Sequence, residues 1–245
     1  MELAYPLSNF LLRIVLKVFA DWRVQGRHNV PPSGPLIVVA NHQSYMDPPL
    51  LAASLSRRLY FLATKDIFRG PLPSAFLRNY GTFRLEGSGK DLRALHWALG
   101  LLKRSQTIAL FPEGRRSPGS MKRAASPGVA AIALRCRAPI LPVGIVGTEK
   151  LGPVWRVALP TGTLRVIIGQ PFTLPSIDGK VGRHRLNSLT HMIMDRVAIL
   201  LPEQYRGAYR TAVGTEYDGG RTGESGDPND VSVDKRLREG RCPRS

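Results

Sequence analysis

From residue 35 to residue 200 the chain alternates between short apolar runs and longer segments with helical spacing. Leu36 to Ala40 is apolar throughout and ends in the polar pair Asn41-His42. An unbroken run of that length reads as a strand buried on both faces and feeding a loop. Asp47-Pro48-Pro49 follows, and proline suits a first helical turn, so a helix is expected from about Pro48 to Leu55. Leu59–Ala63, Thr82–Leu85, Thr107–Phe111, Ile140–Val146 and Arg165–Gly169 read as further strands. Helices are expected over 66–80, where Pro71 and Pro73 interrupt, and over 89–104, 128–135 and 183–200. In the second of these Leu92, Leu95, Leu99 and Leu102 mark one face. Strands alternating with helices argue an α/β sheet with helices on its faces. In such sheets the loops at the carboxyl ends of strands gather the functional residues.

The first 22 residues have a different pattern. Asn9, Arg13, Lys17 and Asp21 recur every four residues, and Leu7, Leu11, Ile14, Val15, Val18 and Trp22 fall on the other side. That is helical periodicity with a broad apolar face. Two readings fit it: an interfacial helix lying on a membrane with its cations at headgroup depth, or a helix packed on its own domain. The longest uncharged run there is Leu3 to Leu12, shorter than the roughly 20 residues a membrane span needs. The positively charged start and small-residue cleavage site of a signal peptide are also missing. Arg23 to Pro35 reads as a basic, proline-broken connection. Past residue 212 the composition turns to Gly, Asp, Glu, Arg and Ser, so a disordered tail is expected over 213–245. The expected organisation is an interfacial helix over 1–22, a domain over 23–212 and that tail.

Composition adds exclusions. At 245 residues the chain can bury a substantial core. Its two cysteines, Cys136 and Cys242, rule out a disulfide scaffold and a four-cysteine zinc site. Cys136 reads as a buried thiol. The net charge is +17, and all of the excess lies in residues 1–214, because residues 215–245 are close to neutral. Such a field attracts polyanions without choosing among nucleic acid, anionic lipid and phosphorylated substrates. No zinc-finger spacing or aromatic-rich strand supports a nucleic-acid surface, so no nucleic-acid partner is expected. His96, His184 and His191 lack metal-ligand partners and read as structural or surface residues. Arg57-Arg58 reads either as a headgroup contact or as a solvated helix end.

Two strand-end segments carry the chemistry. In Asn41-His42-Gln43-Ser44-Tyr45-Met46-Asp47, a histidine and an aspartate stand five apart across a strand-to-helix junction. The carboxylate can accept from one ring nitrogen, which fixes the tautomer and leaves the other nitrogen as a base. No metal-ligand cluster accompanies the pair, and no Gly-x-Ser-x-Gly elbow supplies a serine nucleophile. The attacking group is then the substrate's own hydroxyl. In Phe111-Pro112-Glu113-Gly114-Arg115-Arg116-Ser117, an acid, a glycine and two arginines suit an anionic ligand. Read alone, the same loop also fits a solvated turn.

Taken together, each directly after an apolar strand, the two segments make the chain resemble the glycerolipid acyltransferases, the family of 1-acylglycerol-3-phosphate acyltransferases. Gly81-Thr82-Phe83, Leu141-Pro142-Val143-Gly144-Ile145, Val146-Gly147-Thr148-Glu149 and Ile168-Gly169-Gln170-Pro171 resemble further family stretches. The resemblance covers roughly residues 23–210. It implies a mixed, mostly parallel sheet flanked by helices. It also implies O-acyl transfer from a thioester on coenzyme A or acyl carrier protein to the free hydroxyl of lysophosphatidic acid, giving phosphatidic acid. By the same resemblance His42 is the general base and Asp47 its orienting partner. Glu113, Gly114, Arg115, Arg116 and Ser117 form the acceptor-binding block, with Arg116 on the phosphate. No cofactor and no metal are implied, and the partners are membrane lipids, the acyl donor and the acceptor. Backbone amides around Glu113-Gly114 are candidate donors to the reaction's oxyanion. The expected location is peripheral or monotopic on the cytoplasmic face of a membrane.

The sequence departs from the family pattern at cationic positions. Residue 115 is Arg where a small hydroxyl residue is usual, the arginine of the second block is replaced by Gly87, and Ser126-Pro127-Gly128 stands where Lys-Pro-Gly is common. Arg84 lies three residues from position 87, on the opposite side of a strand. Arg115, Lys122 and Arg123 are the candidates to supply the lost charge. These departures bear on the acceptor, which leaves room for another lysolipid, and they leave the thioester chemistry in place.

Overall fold

The computed structural model describes residues 4–64, 67–68, 74–75, 77–78, 80–85, 92–122, 125–152, 156, 159–177 and 181–209. The chain divides into a unit of residues 1–214 and a second unit of residues 215–245, and the second lies wholly outside the described residues, as does the tail expected over 213–245. In the first unit the elements run α1 (Ala4–Phe19), β1 (Ala20–Gln25), β2 (Leu36–Ala40), α2 (Asp47–Ser54), β3 (Leu59–Thr64), β4 (Thr82–Leu85), α3 (Leu92–Lys103), β5 (Thr107–Leu110), α4 (Gly128–Cys136), β6 (Ile140–Val146), β7 (Gly162–Ile168), α5 (Arg183–Ile199) and α6 (Glu203–Arg206). Most of the helix expected over 66–80 falls outside the described residues.

One seven-stranded sheet has the order β1-β7-β6-β2-β5-β3-β4. Strands β6, β2, β5, β3 and β4 are mutually parallel. β7 runs antiparallel to β6, and β1 pairs parallel with β7, so the sheet is mixed and mostly parallel. The reason is visible in β2. All five of its residues are buried, and they alternate between two cores. Leu36, Val38 and Ala40 join the core under α1 and α2, while Ile37 and Val39 join the core under α3, α4 and α5. A strand apolar on both sides requires helices on both faces, and it sits mid-sheet between β6 and β5.

Three expectations change. The N-terminal helix stops at Phe19, and residues 20–22 begin a strand. Trp22 and Val24 turn inward while Asp21, Arg23 and Gln25 face out, a period of two that pairs with Gly162–Ile167 of β7. Asp21 therefore belongs to no helical stripe. On α3 the buried positions are Ala94, Ala98, Leu101 and Leu102, whereas Leu92 is 65% exposed. Small alanines let the helix approach the sheet; of the leucine row Leu102 joins the core, Leu95 and Leu99 pack at its margin, and only Leu92 leaves the contact. Third, Arg57 and Arg58 are structural. Arg57 donates to the carbonyls of Pro31, Ser33, Gly34 and Ser105. The Arg58 guanidinium lies 5.1 Å from the rings of both Tyr5 and Tyr60. Cys136 is half-buried, its thiol donating to the Ile132 carbonyl, and burial pushes the thiol's pKa up.

α1 meets the domain with the side opposite its apolar stripe. Tyr5, Asn9 and Leu16 are buried, with Leu12 packed beside them. Asn9 accepts from the Tyr80 hydroxyl at 2.6 Å, and the Tyr5 hydroxyl accepts from the Leu59 amide at 2.9 Å. The apolar stripe of Leu7, Phe10, Leu11, Ile14 and Val18 points away from the domain, each of its residues 44–66% exposed.

Gly147, which turns the chain out of β6, has φ 96°, and a Cβ there would stand 2.1 Å from the Thr163 carbonyl oxygen. Both the conformation and the space demand glycine. Gly147→Ala is expected to cost about 2 kcal/mol or more of unfolding free energy. A urea titration would read this as a lower midpoint with an unchanged slope. An unshifted midpoint would contradict the packing described here.

Candidate active site

Three neighbouring parallel strands end on the same edge of the sheet, and their exits build the site. β2 runs into Asn41–Asp47, β5 into Phe111–Ser117, and β6 into Gly147-Thr148. Asn41 continues the β2–β6 ladder with its side chain, accepting from the Ile145 amide at 2.8 Å and donating to the Ile145 carbonyl at 2.9 Å. Gln43 adds a second donation to that carbonyl at 2.7 Å. The chain is thus held flat to the sheet edge just before it turns into α2.

Asp47, the first residue of α2, is fully buried. Its Oδ2 accepts from the backbone amides of Gln43 at 2.6 Å and Ser44 at 2.8 Å, and lies 2.8 Å from His42 Nδ1. Its Oδ1 accepts from the Thr148 hydroxyl at 2.6 Å. An oxygen already taking two amide donors is a carboxylate acceptor, so Nδ1 carries the proton toward it and Nε2 is the nitrogen with a lone pair. The His42 side chain is 18% exposed, and its ring stacks on Phe111 with centroids 4.3 Å apart. The imidazole is thus held from one side by a carboxylate and from another by an aromatic face.

The β5 loop is fastened to the same histidine. Glu113 Oε1 accepts from the His42 amide at 3.0 Å, and Oε2 accepts from the Lys122 amide at 3.1 Å. The Ser117 amide donates to the His42 carbonyl at 2.7 Å. Burial pushes the Glu113 carboxyl's pKa up, and the amide donors oppose that shift. The Ser117 hydroxyl, buried beside it, opposes that shift as well. Gly114 makes the turn with φ 67°, in open space. Its amide donates to the Phe111 carbonyl at 3.0 Å, so it is committed within the loop and is no free oxyanion donor.

The structure therefore sorts the seven sequence candidates. His42 and Asp47 form the expected pair, and the two segments share one site. Glu113 and Ser117, expected in the acceptor-binding block, hold the His42 backbone. Arg115 and Arg116 are exposed on the rim. The Arg116 guanidinium lies 3.6 Å from the centroid of the Tyr45 ring and donates to the Tyr45 hydroxyl at 2.8 Å, joining the β2 loop to the β5 loop. Sequence reasoning assigned no role to Thr148, Phe111 or Tyr45, although Thr148 and Phe111 stand directly beyond apolar strands, where such roles arise. The His191 ring lies 6.1 Å from that of Tyr209, away from any cluster of ligands. Among the described residues no group of three His, Cys, Asp or Glu could hold a metal ion.

A closing segment braces the β6 exit. Glu149 accepts from the Gly147 amide at 3.0 Å and from the Tyr205 hydroxyl at 2.7 Å. The Tyr205 hydroxyl is pushed up to about 12, first by burial and then by Glu149. The Tyr205 carbonyl in turn accepts from the Met121 amide at 2.9 Å.

A family model described as Acyltransferase matches residues 21–146. The chain belongs to the acyltransferase family. It is 30% identical over 152 residues to a chloroplastic 1-acyl-sn-glycerol-3-phosphate acyltransferase of Brassica napus, covering 60% of this chain and 44% of that protein. The chain thus spans less than half the length of the chloroplastic relatives it matches. It is 27% identical over 177 residues to a 1-acyl-sn-glycerol-3-phosphate acyltransferase of Borreliella burgdorferi, covering 71% of this chain and 69% of that one. It is also 30% identical over 137 residues to a lyso-ornithine lipid O-acyltransferase of Pseudomonas aeruginosa, covering 56% and 51%. The crystal structure of the 1-acyl-sn-glycerophosphate (LPA) acyltransferase PlsC from Thermotoga maritima superposes with a TM-score of 0.61 at 30% identity, covering 78% of this chain and 76% of that one. The mixed, mostly parallel α/β fold expected for the family is the fold observed.

Thr148 donates to a buried carboxylate, and a hydrogen bond to a charged group contributes about 1.5–3 kcal/mol. Thr148→Val keeps the shape and removes the donor, so it is expected to lose about that much unfolding free energy. Thr148→Ser is expected to recover most of it. Equal stability of all three proteins in urea would remove Thr148 from the account.

Proposed function

We propose that this acyltransferase transfers a fatty acyl group from a thioester donor to the free hydroxyl of 1-acyl-sn-glycerol 3-phosphate, giving phosphatidic acid. The carrying observation is the convergence of His42, oriented by Asp47, with an arginine-bearing loop at one edge of the sheet. His42 Nε2 takes the proton from the acceptor hydroxyl as its oxygen attacks the thioester carbonyl. The tetrahedral oxyanion collapses, the carbon–sulfur bond breaks, and the leaving thiolate takes the proton back from His42. No acyl-enzyme forms. Asp47 keeps the imidazole in one tautomer and stabilises its cation during the transfer. Arg116, held over Tyr45, presents its remaining N–H groups to the acceptor phosphate, with Arg115 beside it. The donor is acyl-coenzyme A or acyl carrier protein. The working location is the cytoplasmic face of a membrane, attached peripherally through α1. Among the described residues no helix is long and apolar enough to cross a bilayer.

A second acceptor is favoured by one comparison and one residue. The Pseudomonas aeruginosa relative is named for a lyso-ornithine lipid, and Gly87 stands here in place of the second-block arginine. Another lysolipid then takes the place of lysophosphatidic acid, with the chemistry at His42 unchanged.

Purified protein offered several lysolipids with one acyl thioester is expected to favour lysophosphatidic acid, and clear preference for an acceptor without phosphate would transfer the assignment to the second reading. His42→Ala is expected to lower turnover by about 10²–10⁴-fold, the usual contribution of general base catalysis. Arg116→Ala is expected to raise the acceptor's apparent KM more than the donor's. Equal effects on the two substrates would remove Arg116 from the phosphate.

A further inference from the structure

At the far end of α2 from the catalytic pair lies a recess of about 410 Å³ whose lining includes Arg13, Lys17, Trp22, Arg27 and Ser54. A volume of that size suits a small ligand or headgroup. Asp47 opens α2 at the catalytic edge and Ser54 closes it at the recess, so the helix separates the two sites by roughly 10 Å. Three of the lining residues are cations, and no carboxylate among the described residues lines the recess.

The cations are held by different means. Arg13 is fixed at the end of α2, donating through Nε to the Ala53 carbonyl at 2.9 Å and through its terminal nitrogen to the Leu55 carbonyl at 3.1 Å. The Trp22 indole forms a wall, with its N–H donating to the Ser54 hydroxyl at 3.2 Å. The Arg27 guanidinium stands over that indole, 5.6 Å from its centroid. Lys17 lies one turn beyond Arg13 on α1 and is exposed. Among the described residues no carboxylate pairs with Lys17 or Arg27.

The neighbouring surface says what the charge is for. On a helix of 3.6 residues per turn, Leu7, Phe10, Leu11, Ile14 and Val18 share one face, and Arg13 and Lys17 lie along one flank of it. The apolar stripe is exposed and the cationic recess adjoins it. A ligand complementary to both has an anionic head joined to apolar chains. We propose that this recess is a binding site for the phosphate head of an anionic bilayer phospholipid, whose chains lie along the outward stripe of α1. The site anchors the protein and is separate from the acceptor site at His42. It rests on the reading of α1 as membrane-facing and adds to it a headgroup preference and the residues that set it.

The test is flotation of the full chain with vesicles of phosphatidylcholine alone or doped with phosphatidylglycerol, at fixed ionic strength because surface charge is screened. Lys17→Gln with Arg27→Gln is compared with Lys103→Gln with Arg135→Gln, an equal loss of charge on exposed positions of α3 and α4 in the opposite layer. The first pair is expected to lose about tenfold or more of the binding to doped vesicles, at about one kcal/mol per surface cation, and the second to lose little. Equal losses would reduce the recess to part of a general positive field and overturn the proposal, as would an unaffected first pair. Phe10→Ser with Val18→Ser is expected to abolish binding to both vesicle types, and retention would show that the stripe holds no chains. Inorganic phosphate in excess is expected not to release the bound protein, and release would assign the recess to free phosphate instead. Acyl transfer in detergent micelles is expected to be unchanged in the Lys17/Arg27 pair. That readout separates the anchor from the catalytic reading, which fails on its own if His42→Ala retains transfer.

Discussion

The buried carboxylate of Asp47 is the constraint on which the candidate site at the sheet edge depends. A carboxylate taken out of water is costly unless its oxygens are filled. Here four donors fill them, from His42, Gln43, Ser44 and Thr148. The first three come from the loop after β2 and the fourth from the exit of β6, so satisfying one anion fixes two strand ends relative to each other. Glu113 does the same for the third, joining the β5 loop to the His42 amide. Two acids thus bring three chain segments together at one imidazole. The backbone around His42 is held through both its N–H and its C=O, which fixes this loop against the sheet edge.

The sequence made the α/β architecture legible because β2, β5 and β6 are buried runs that no other structure explains well, and because the helices between them are periodic. Its failures have a common cause. Ala20–Gln25 alternates with a period of two, but only Trp22 and Val24 are large and apolar, and Asp21 happens to continue the four-residue spacing of Asn9, Arg13 and Lys17. Short-range spacing alone cannot separate those two patterns. Pairing with β7, 142 residues away, decides it. The same is true of the site. His42 and Asp47 are near in sequence, and their contact was legible. Thr148 reaches Asp47 across 101 residues, and Tyr45 reaches Arg116 across 71. Such partners are set by strand order, which the linear pattern does not contain.

α1 is an amphipathic helix whose most apolar stripe faces away from the domain it packs on. Its most apolar stripe would ordinarily cover the core. Instead the helix packs through Tyr5, Leu12 and Leu16, with Asn9 satisfied by Tyr80. Burying a large apolar side chain is worth about 1.5–3 kcal/mol. The outward stripe therefore leaves several such contributions unused in the chain by itself. Polar anchoring of the inner side lets that stripe stay outward without loosening the helix, because the hydrogen bonds from Tyr5, Asn9 and Arg13 fix its rotation. The two sequence readings of this segment do not exclude each other: one side of the helix is packed on the domain, and the other is exposed.

The same economy bears on the acceptor. A phosphate clamp built from a free arginine must order a long side chain on binding, which costs affinity. Arg116 is ordered beforehand, stacked on Tyr45 and bonded to its hydroxyl. Arginine can hold this position and still present donors, because its planar fork carries five N–H groups and lysine's point charge does not. With the second-block arginine replaced by Gly87, the preordered Arg116 and the adjacent Arg115 are the cations the β5 loop offers at the rim. If Arg116 binds the acceptor's phosphate as proposed, Tyr45, by ordering that guanidinium, bears on how tightly the anionic end is held.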